Sequence, residues 1–222
     1  MLLGKQSLHS TLSDARYHTQ LMLTIDTSAL IGKGLHRECF VHPHNPELCI
    51  KIVVAGNSNE NHREAAYYAQ LARRGISWEM LTRFHGLVAT SLGEGAVFDL
   101  VRDHDGEVSR TLAYYLETEE LTAPHLELLG VALCDLKAYL LKNRVVTMTL
   151  KAKNILLQQT APGEGGLVIV DNVGNSDFIP VANYSGLLAR LKIRRKWSRF
   201  ETALRSQYAG NKLMDSLLDR IQ

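Results

Sequence analysis

The sequence lacks most of the features that mark secreted, disulfide-stabilised or membrane-spanning proteins. Its three cysteines are an odd number without the spacing of a disulfide framework, which fits a reducing compartment better than a secreted scaffold. No apolar run approaches the length needed to cross a bilayer, so we expect no transmembrane segment. The first residues, Met-Leu-Leu-Gly-Lys, turn polar at once, and we expect no signal-peptide core. These absences predict a cytoplasmic protein.

The charge and composition are those of an ordinary globular protein. The net charge of +2 excludes no class of partner, and 45% of the residues are hydrophobic against 22% charged. A chain of 222 residues is long enough for one domain with a sizeable core, or for two small lobes.

The hydrophobic pattern changes its period along the chain and predicts an α+β fold. Residues 1–20 are polar and aperiodic, and we expect a loosely held tail there. A long helix is predicted over 125–142, where a broad leucine-rich stripe repeats at helical spacing, and a second over 60–74. The remaining predicted elements are a strand running into a turn at 21–34, strands at 38–42, 48–54, 81–89, 94–101, 154–158 and 167–170, and further helix at 183–219.

This order of strands, one helix, strands and then mostly helices predicts a two-lobed architecture. We expect an N-terminal lobe over 21–101, with a small antiparallel sheet and one helix. A reduced, mostly helical C-terminal lobe is expected over 102–222, with a hinge near 100–110.

A lysine and a glycine-rich turn in the N-terminal half indicate a site for an anion. Lys51 lies in an apolar, strand-like run, seventeen residues after Gly34 of the turn that also holds Gly32. A lysine in a buried strand needs an anion to meet it, and the turn offers backbone that could hold phosphates. Glu64, in the predicted helix, would hold Lys51 in place through an ion pair. Taken singly, a hairpin turn and solvent-facing side chains would explain the same residues.

The second half of the chain adds residues that could bind a metal. Lys151 and Asn154 form a Lys-x-x-Asn pattern, and Asp171 begins a strand-terminal Asp-x-x-Gly pattern. Together with Lys51 and Glu64, they follow the order in which protein kinases carry their functional residues. Amide and carboxylate oxygens are ligands that Mg²⁺ prefers. The set therefore predicts a site for ATP and Mg²⁺, with Asn154 and Asp171 as the metal ligands.

The same residues give the chain a resemblance to a known group of proteins. Segments 31–43, 49–53, 63–68, 143–156 and 171–174 resemble the bacterial YrbL family of PhoP regulatory network proteins. The resemblance covers about residues 27–200. It implies a protein-kinase-like fold and a cytoplasmic protein linked to magnesium and envelope-stress regulation.

The kinase-like fold also implies where a nucleotide would contact the chain. Arg37 occupies the place of a third glycine in the phosphate-binding turn, where it would either obstruct the turn or donate to the phosphates. Cys39 and Cys49 would cover the adenine ring, and the backbone near Asp99 and Val101 would meet its edge. The residues implied to bind nucleotide are Gly32, Gly34, Arg37, Cys39, Cys49, Lys51, Asp99 and Val101.

The chain departs from active protein kinases in its catalytic loop. Thr149 occupies the position of the catalytic aspartate, and no carboxylate lies between Arg144 and Gly163. A threonine hydroxyl is not a comparable general base at neutral pH, although Lys151 could stabilise charge at the terminal phosphate. We therefore expect an ATP-binding regulatory protein, either a pseudokinase or an atypical phosphotransferase. A small-molecule kinase and a nucleotidyl transferase are the enzymatic alternatives.

The last distinctive segment, 190–199, has six basic residues among ten. An amphipathic surface helix with a solvated basic face would explain it. It could also contact an acidic protein, an anionic substrate or anionic lipid through Arg190, Arg194, Arg195 and Lys196. No aromatic residues alternate with the basic ones on that side, so nucleic acid ranks low. This segment supports a third hypothesis, a non-catalytic interaction module.

Overall fold

A computed structural model describes residues 22–34, 36–55, 59–174 and 186–221. Its first half contains β1 (Leu30–Lys33), β2 (Arg37–His42), β3 (Asn45–Val53), α1 (Asn59–Arg73), β4 (Phe84–Thr90) and β5 (Gly93–Asp99). The five strands form one antiparallel sheet in the order β1-β2-β3-β5-β4. The predicted tail, residues 1–20, lies outside the described residues.

The second half combines helices with one hairpin. Its elements are α2 (Leu112–Leu116), α3 (Glu119–Thr122), α4 (Leu126–Asn143), β6 (Ile155–Ala161), β7 (Glu164–Ile169), α5 (Gly186–Gln207) and α6 (Leu213–Asp219). β6 and β7 pair antiparallel, and α4 packs against β7. The prediction of a mixed α+β fold with a small antiparallel sheet and several helices is confirmed. The two lobes and their boundary at 101–102 stay predictions.

Helix α4 forms because its leucines repeat at helical spacing. Leu129, Leu133, Leu136 and Leu140 lie on one face and are fully or almost fully buried. The helix ends where Arg144 adopts a left-handed conformation, φ 51°, and its N–H bonds back to the helix, which is a common way to terminate a helix. This end leads directly into the loop that carries Lys151 and Asn154.

The strand prediction for 21–34 is wrong in its first part. Residues Thr27–Ala29 form a turn of 3-10 helix, and β1 begins only at Leu30. The reason is local: the Asp26 carboxylate accepts hydrogen bonds from the backbone N–H and the hydroxyl of Ser28, which favours a turn over an extended strand.

The five-stranded sheet and the hairpin are joined by the segment before β4. Ile169, at the end of β7, donates to the Met80 carbonyl at 3.0 Å and accepts from the Thr82 N–H at 3.2 Å. This pairing brings the residues after β7 beside the sheet. No helix within the described ranges is long and apolar enough to cross a membrane.

Candidate functional site

Strand β3 carries Lys51 into the interior because both of its faces are covered. Ile50 and Ile52 are fully buried on one face, where they pack with Phe40 and Val97. Lys51 points to the opposite face, as the alternation of a strand requires, and is only 7% exposed. A buried ammonium group must be hydrogen-bonded or paired, so its partners define the site.

The ammonium group of Lys51 lies beside the start of the Asp171 segment. It donates a hydrogen bond to the backbone carbonyl of Val170, the residue before Asp171. It also lies 4.1 Å from the centre of the Phe98 ring, within the range of a cation–π contact. Lys51 and Asp171, 120 positions apart in the sequence, are therefore neighbours.

Helix α1 brings Glu64 into the same cluster of charged side chains, beside Arg37. Glu64 is on the buried face of α1 with Tyr68 and Leu71, and it is 6% exposed. Its Oε2 accepts a hydrogen bond from Arg37 at 2.5 Å. Its Oε1 is buried and has no hydrogen-bond partner among the described residues. One half of this carboxylate is therefore neutralised, and the other half is unsatisfied.

The expected ion pair between Lys51 and Glu64 is not formed within the described chain; Arg37 takes the place of Lys51. Arg37 begins β2, the neighbour of β3, and its side chain is 14% exposed. Its planar guanidinium presents several N–H donors in different directions, so one side chain can bind two carboxylates at once. One nitrogen donates to Glu64 and the other to Asp171.

Asp171 lies just beyond β7 and is surrounded by positive charge. Burial by itself would raise the pKa of this carboxyl, but the cations Lys51 and Arg37 outweigh it. The backbone N–H of Asn172 and the charge of Lys153 act in the same direction, so the pKa lies below its ordinary value. At neutral pH Asp171 is an anion, which is the state that a metal ligand or an ion pair requires.

The register of the hairpin brings Asn154 towards Asp171. Asn154 ends a 3-10 turn just before β6, and Ile155 of β6 pairs with Ile169 of β7. The backbone N–H of Val170 then donates to the Asn154 carbonyl at 3.0 Å. The structure therefore brings the segments of the two predicted metal ligands together, with the Asn154 side chain half-buried.

The loop before Asn154 has basic but no acidic side chains. Thr149, Lys151 and Lys153 are all exposed. Lys153 contributes to the lowered pKa of Asp171, whereas Lys151 forms no ion pair within the part of the chain that the structure describes. The loop is held by a bond from the Met148 N–H to the Asn172 carbonyl at 2.7 Å. Nothing in this loop could act as a carboxylate base.

The glycine-rich turn is exposed and leads into β2, which begins with Arg37. Gly32 and Gly34 are exposed, and the Gly34 N–H donates to the Arg37 carbonyl at 2.8 Å, which closes the turn. Gly32 lies opposite Cys39 in the pairing of β1 with β2. Cys39 is half-buried, and Cys49, on β3, is buried.

The segment after β5 presents backbone groups near these cysteines. The Cys49 thiol lies 3.7 Å from the Asp99 carbonyl, while the Asp99 carboxylate is held by His85 at 2.5 Å. The Val101 carbonyl accepts from Ser109 at 3.1 Å, but the Val101 N–H makes no hydrogen bond within the described ranges. The predicted adenine edge therefore has the Asp99 carbonyl as an acceptor and the Val101 N–H as an unused donor.

The arginines of the basic segment lie on the exposed side of helix α5, whereas Lys192 of the same segment is buried. Arg190, Arg194 and Arg195 are exposed and form no ion pair or hydrogen bond with any described residue. Lys196 differs, because its ammonium group donates to the Met148 carbonyl in the loop before Thr149. The opposite side of α5 is buried through Ala189, Ile193, Trp197, Phe200 and Leu204.

Arg37 is the residue whose role the sequence pattern did not determine. Its position in place of a glycine was the only signal, and that signal was compatible with two opposite roles.

No group of three or more His, Cys, Asp or Glu side chains in the described residues could hold a metal ion. A cavity of about 350 Å³ lies elsewhere, on the β4–β5 hairpin, and includes none of the charged residues above.

Comparison with known proteins identifies relatives over most of the chain. The model of the family described as PhoP regulatory network protein YrbL matches residues 23–205. The protein described as uncharacterized protein YrbL from Escherichia coli (strain K12) is 40% identical over 185 residues, which cover 81% of this chain and 86% of that protein. The protein of the same description from Shigella flexneri has the same identity and coverage.

Proposed function

The chain belongs to the family of PhoP regulatory network protein YrbL, and on that premise we propose that it is a regulatory protein that binds ATP with Mg²⁺ in a protein-kinase-like fold. The observation that carries the proposal is a convergence of charged side chains from separate parts of the chain: Arg37 binds both Glu64 and Asp171, and Lys51 binds the carbonyl of the residue before Asp171. Buried charges gathered in this way are typical of a binding site for a charged ligand.

The order of the elements supports the kinase-like fold. A five-stranded antiparallel sheet, with one helix between its third and fourth strands, precedes a mostly helical second half. The lysine lies on the third strand, the glutamate on the helix, and the aspartate follows a hairpin, as in the kinase arrangement.

The donor set fits Mg²⁺. Asp171 is ionised at neutral pH, and Asn154 supplies an amide oxygen on the adjoining segment. Mg²⁺ is commonly held by one or two protein ligands together with substrate phosphates, so a pair of side chains is sufficient. When bound, the ion would neutralise charge on the phosphates, and Lys51 would bind the same phosphates from β3.

The adenine would lie between the sheet and the segment after β5. The Asp99 carbonyl and the unused Val101 N–H would bind its edge as acceptor and donor. Cys39 and Cys49 would cover one face of the ring. These groups fix the orientation of the base, while Gly32 and Gly34 leave room for the phosphates.

Binding is better supported than phosphoryl transfer. Thr149 replaces the usual base, and the loop side chains beside it are lysines. Transfer depends mainly on positioning and electrostatics, so an atypical phosphotransferase remains an alternative, as do a small-molecule kinase and a nucleotidyl transferase.

Incubation with ATP labelled at the γ-phosphate or at the α-phosphate distinguishes a phosphotransferase or a small-molecule kinase from a nucleotidyl transferase. Labelling that persists in D171N would contradict all three, because each requires the metal-bound nucleotide.

Thermal stabilisation tests binding. At a nucleotide concentration ten times Kd, we expect ATP with Mg²⁺ to stabilise the protein by about 1.4 kcal/mol. That corresponds to a Tm increase of about 3–6 °C for a chain of this size. K51A should lose the increase, whereas K142A, a change at an exposed lysine on α4, should retain it. The proposal fails if millimolar ATP with Mg²⁺ does not raise the Tm of the wild-type protein.

A second candidate function rests on α5. Its exposed arginines lack acidic partners among the described residues, which favours contact with an acidic protein surface. Charge reversal at Arg194 and Arg195 should abolish capture of such a partner and leave the response to ATP unchanged. If capture is instead lost in K51A, the nucleotide site controls the interaction.

A further inference from the structure

Arg37 occupies the position between the two carboxylates of the proposed phosphate and metal site. One guanidinium nitrogen donates to Glu64 at 2.5 Å and the other donates to Asp171. The side chain is 14% exposed, so this is a largely buried bridge rather than a surface ion pair. The carboxylate proposed to bind the metal is therefore already neutralised by a cation from the protein itself.

The bridge leaves two other groups of the site poorly paired. Glu64 Oε1 is buried and accepts no hydrogen bond from any described residue. The ammonium of Lys51 is bonded to the Val170 carbonyl instead of to a carboxylate. A buried carboxylate oxygen without a donor costs free energy, and a buried ammonium that is bonded to a neutral carbonyl is less well stabilised than one bonded to a carboxylate. A pairing of Lys51 with Glu64 would remove both defects.

We infer that Arg37 is a latch that holds the proposed site closed in the ligand-free protein; this inference rests on the proposed function. In the closed form Arg37 bridges Glu64 and Asp171. In the open form the guanidinium leaves both carboxylates, Lys51 pairs with Glu64, and Asp171 becomes available to a metal ion.

The charge of the site determines which ligand opens it. In the closed site the charges of Arg37 and Lys51 offset those of Glu64 and Asp171, and Lys153 adds positive charge near Asp171. When Arg37 leaves, the site loses one positive charge, and Asp171 loses the cation that is bonded to it. A divalent cation restores the balance, whereas a nucleotide without a metal adds further negative charge. The latch therefore opens to a magnesium–nucleoside triphosphate and not to the metal-free nucleotide.

Isothermal titration calorimetry with the non-hydrolysable ATP analogue AMP-PNP measures the latch directly. The proteins compared are the wild type, R37Q and the matched control R63Q, since Arg63 is an exposed arginine on α1 without an ion pair in the described structure. If the closed form holds about 90–99% of the molecules, its removal tightens apparent binding by about 10-fold to 100-fold. We expect that gain in R37Q with Mg²⁺, no change in R63Q, and loss of the gain in R37Q combined with K51A.

Every other binding result contradicts the latch, and the results also distinguish failure of the latch from failure of the proposed function. If R37Q binds magnesium AMP-PNP as tightly as the wild type or less tightly, Arg37 is not a latch, and weaker binding identifies it as a phosphate ligand while the proposed function stands. If neither protein binds, the proposed function fails and the latch fails with it. R37K provides a second test should R37Q not fold. Its single ammonium cannot bridge both carboxylates, so tighter binding than the wild type supports the latch and unchanged binding overturns it.

Discussion

Replacing Asp171 by asparagine tests the electrostatics of the site through protein stability. The carboxylate accepts a hydrogen bond from Arg37, and the ammonium of Lys51 lies beside it. In D171N both cations would share Glu64 as their remaining carboxylate in the cluster. A hydrogen bond to a charged group contributes about 1.5–3 kcal/mol. Because the Asp171 side chain is 30% exposed, we expect a loss of about 1–2 kcal/mol at pH 7.

This loss should depend on pH. The cations hold the pKa of Asp171 below its ordinary value against the opposing effect of burial. A carboxylate with a lowered pKa in the folded state stabilises the protein above its unfolded pKa of about 3.9. That stabilisation disappears as the pH falls through the folded pKa. The difference between the wild type and D171N should therefore be complete at pH 6–7 and should shrink below about pH 4.

Urea denaturation monitored by tryptophan fluorescence measures this difference at each pH. A loss of 1–2 kcal/mol corresponds to a Tm decrease of about 2–8 °C for a chain of this size, which scanning calorimetry can confirm. D135N is the matched control, because Asp135 is an exposed residue of α4 without an ion pair in the described structure. The reasoning is refuted if D171N is as stable as the wild type at pH 7, or if the difference does not change between pH 7 and pH 3.

Two further predictions concern the framework of the site. The Tyr67 hydroxyl accepts a hydrogen bond from the buried Val146 N–H at 2.8 Å, so Y67F leaves that N–H unsatisfied. We expect a cost of about 1–3 kcal/mol in urea denaturation, and an unchanged midpoint would contradict it. A Cβ at Gly165 would lie 2.1 Å from the Gln158 carbonyl oxygen, whereas one at Gly166 would meet nothing within 4 Å. G165A should therefore lower the Tm and G166A should not; equal Tm values would refute this reading of the hairpin.

The regular elements could be predicted from the sequence because their patterns are local. The leucine repeat of α4 specifies a helix at any position in a fold, and the prediction of 125–142 differs from the observed Leu126–Asn143 by one residue at each end. The start of β1 was predicted wrongly because one side chain, Asp26, decides it through short-range hydrogen bonds that the apolar pattern does not reveal.

The sequence by itself determined which chemical groups the proposed site contains. Lys51, Asn154 and Asp171 follow one another in the order predicted for a kinase-like site, and Thr149 occupies the position where a kinase would need a carboxylate. Only the tertiary structure decided how the charges pair. Arg37 reaches Glu64 across 27 positions and Asp171 across 134, because strand pairing and the packing of α1 and the hairpin bring the three together. The choice between Arg37 and Lys51 as the partner of Glu64 depends on distances between separate elements, which no local pattern specifies.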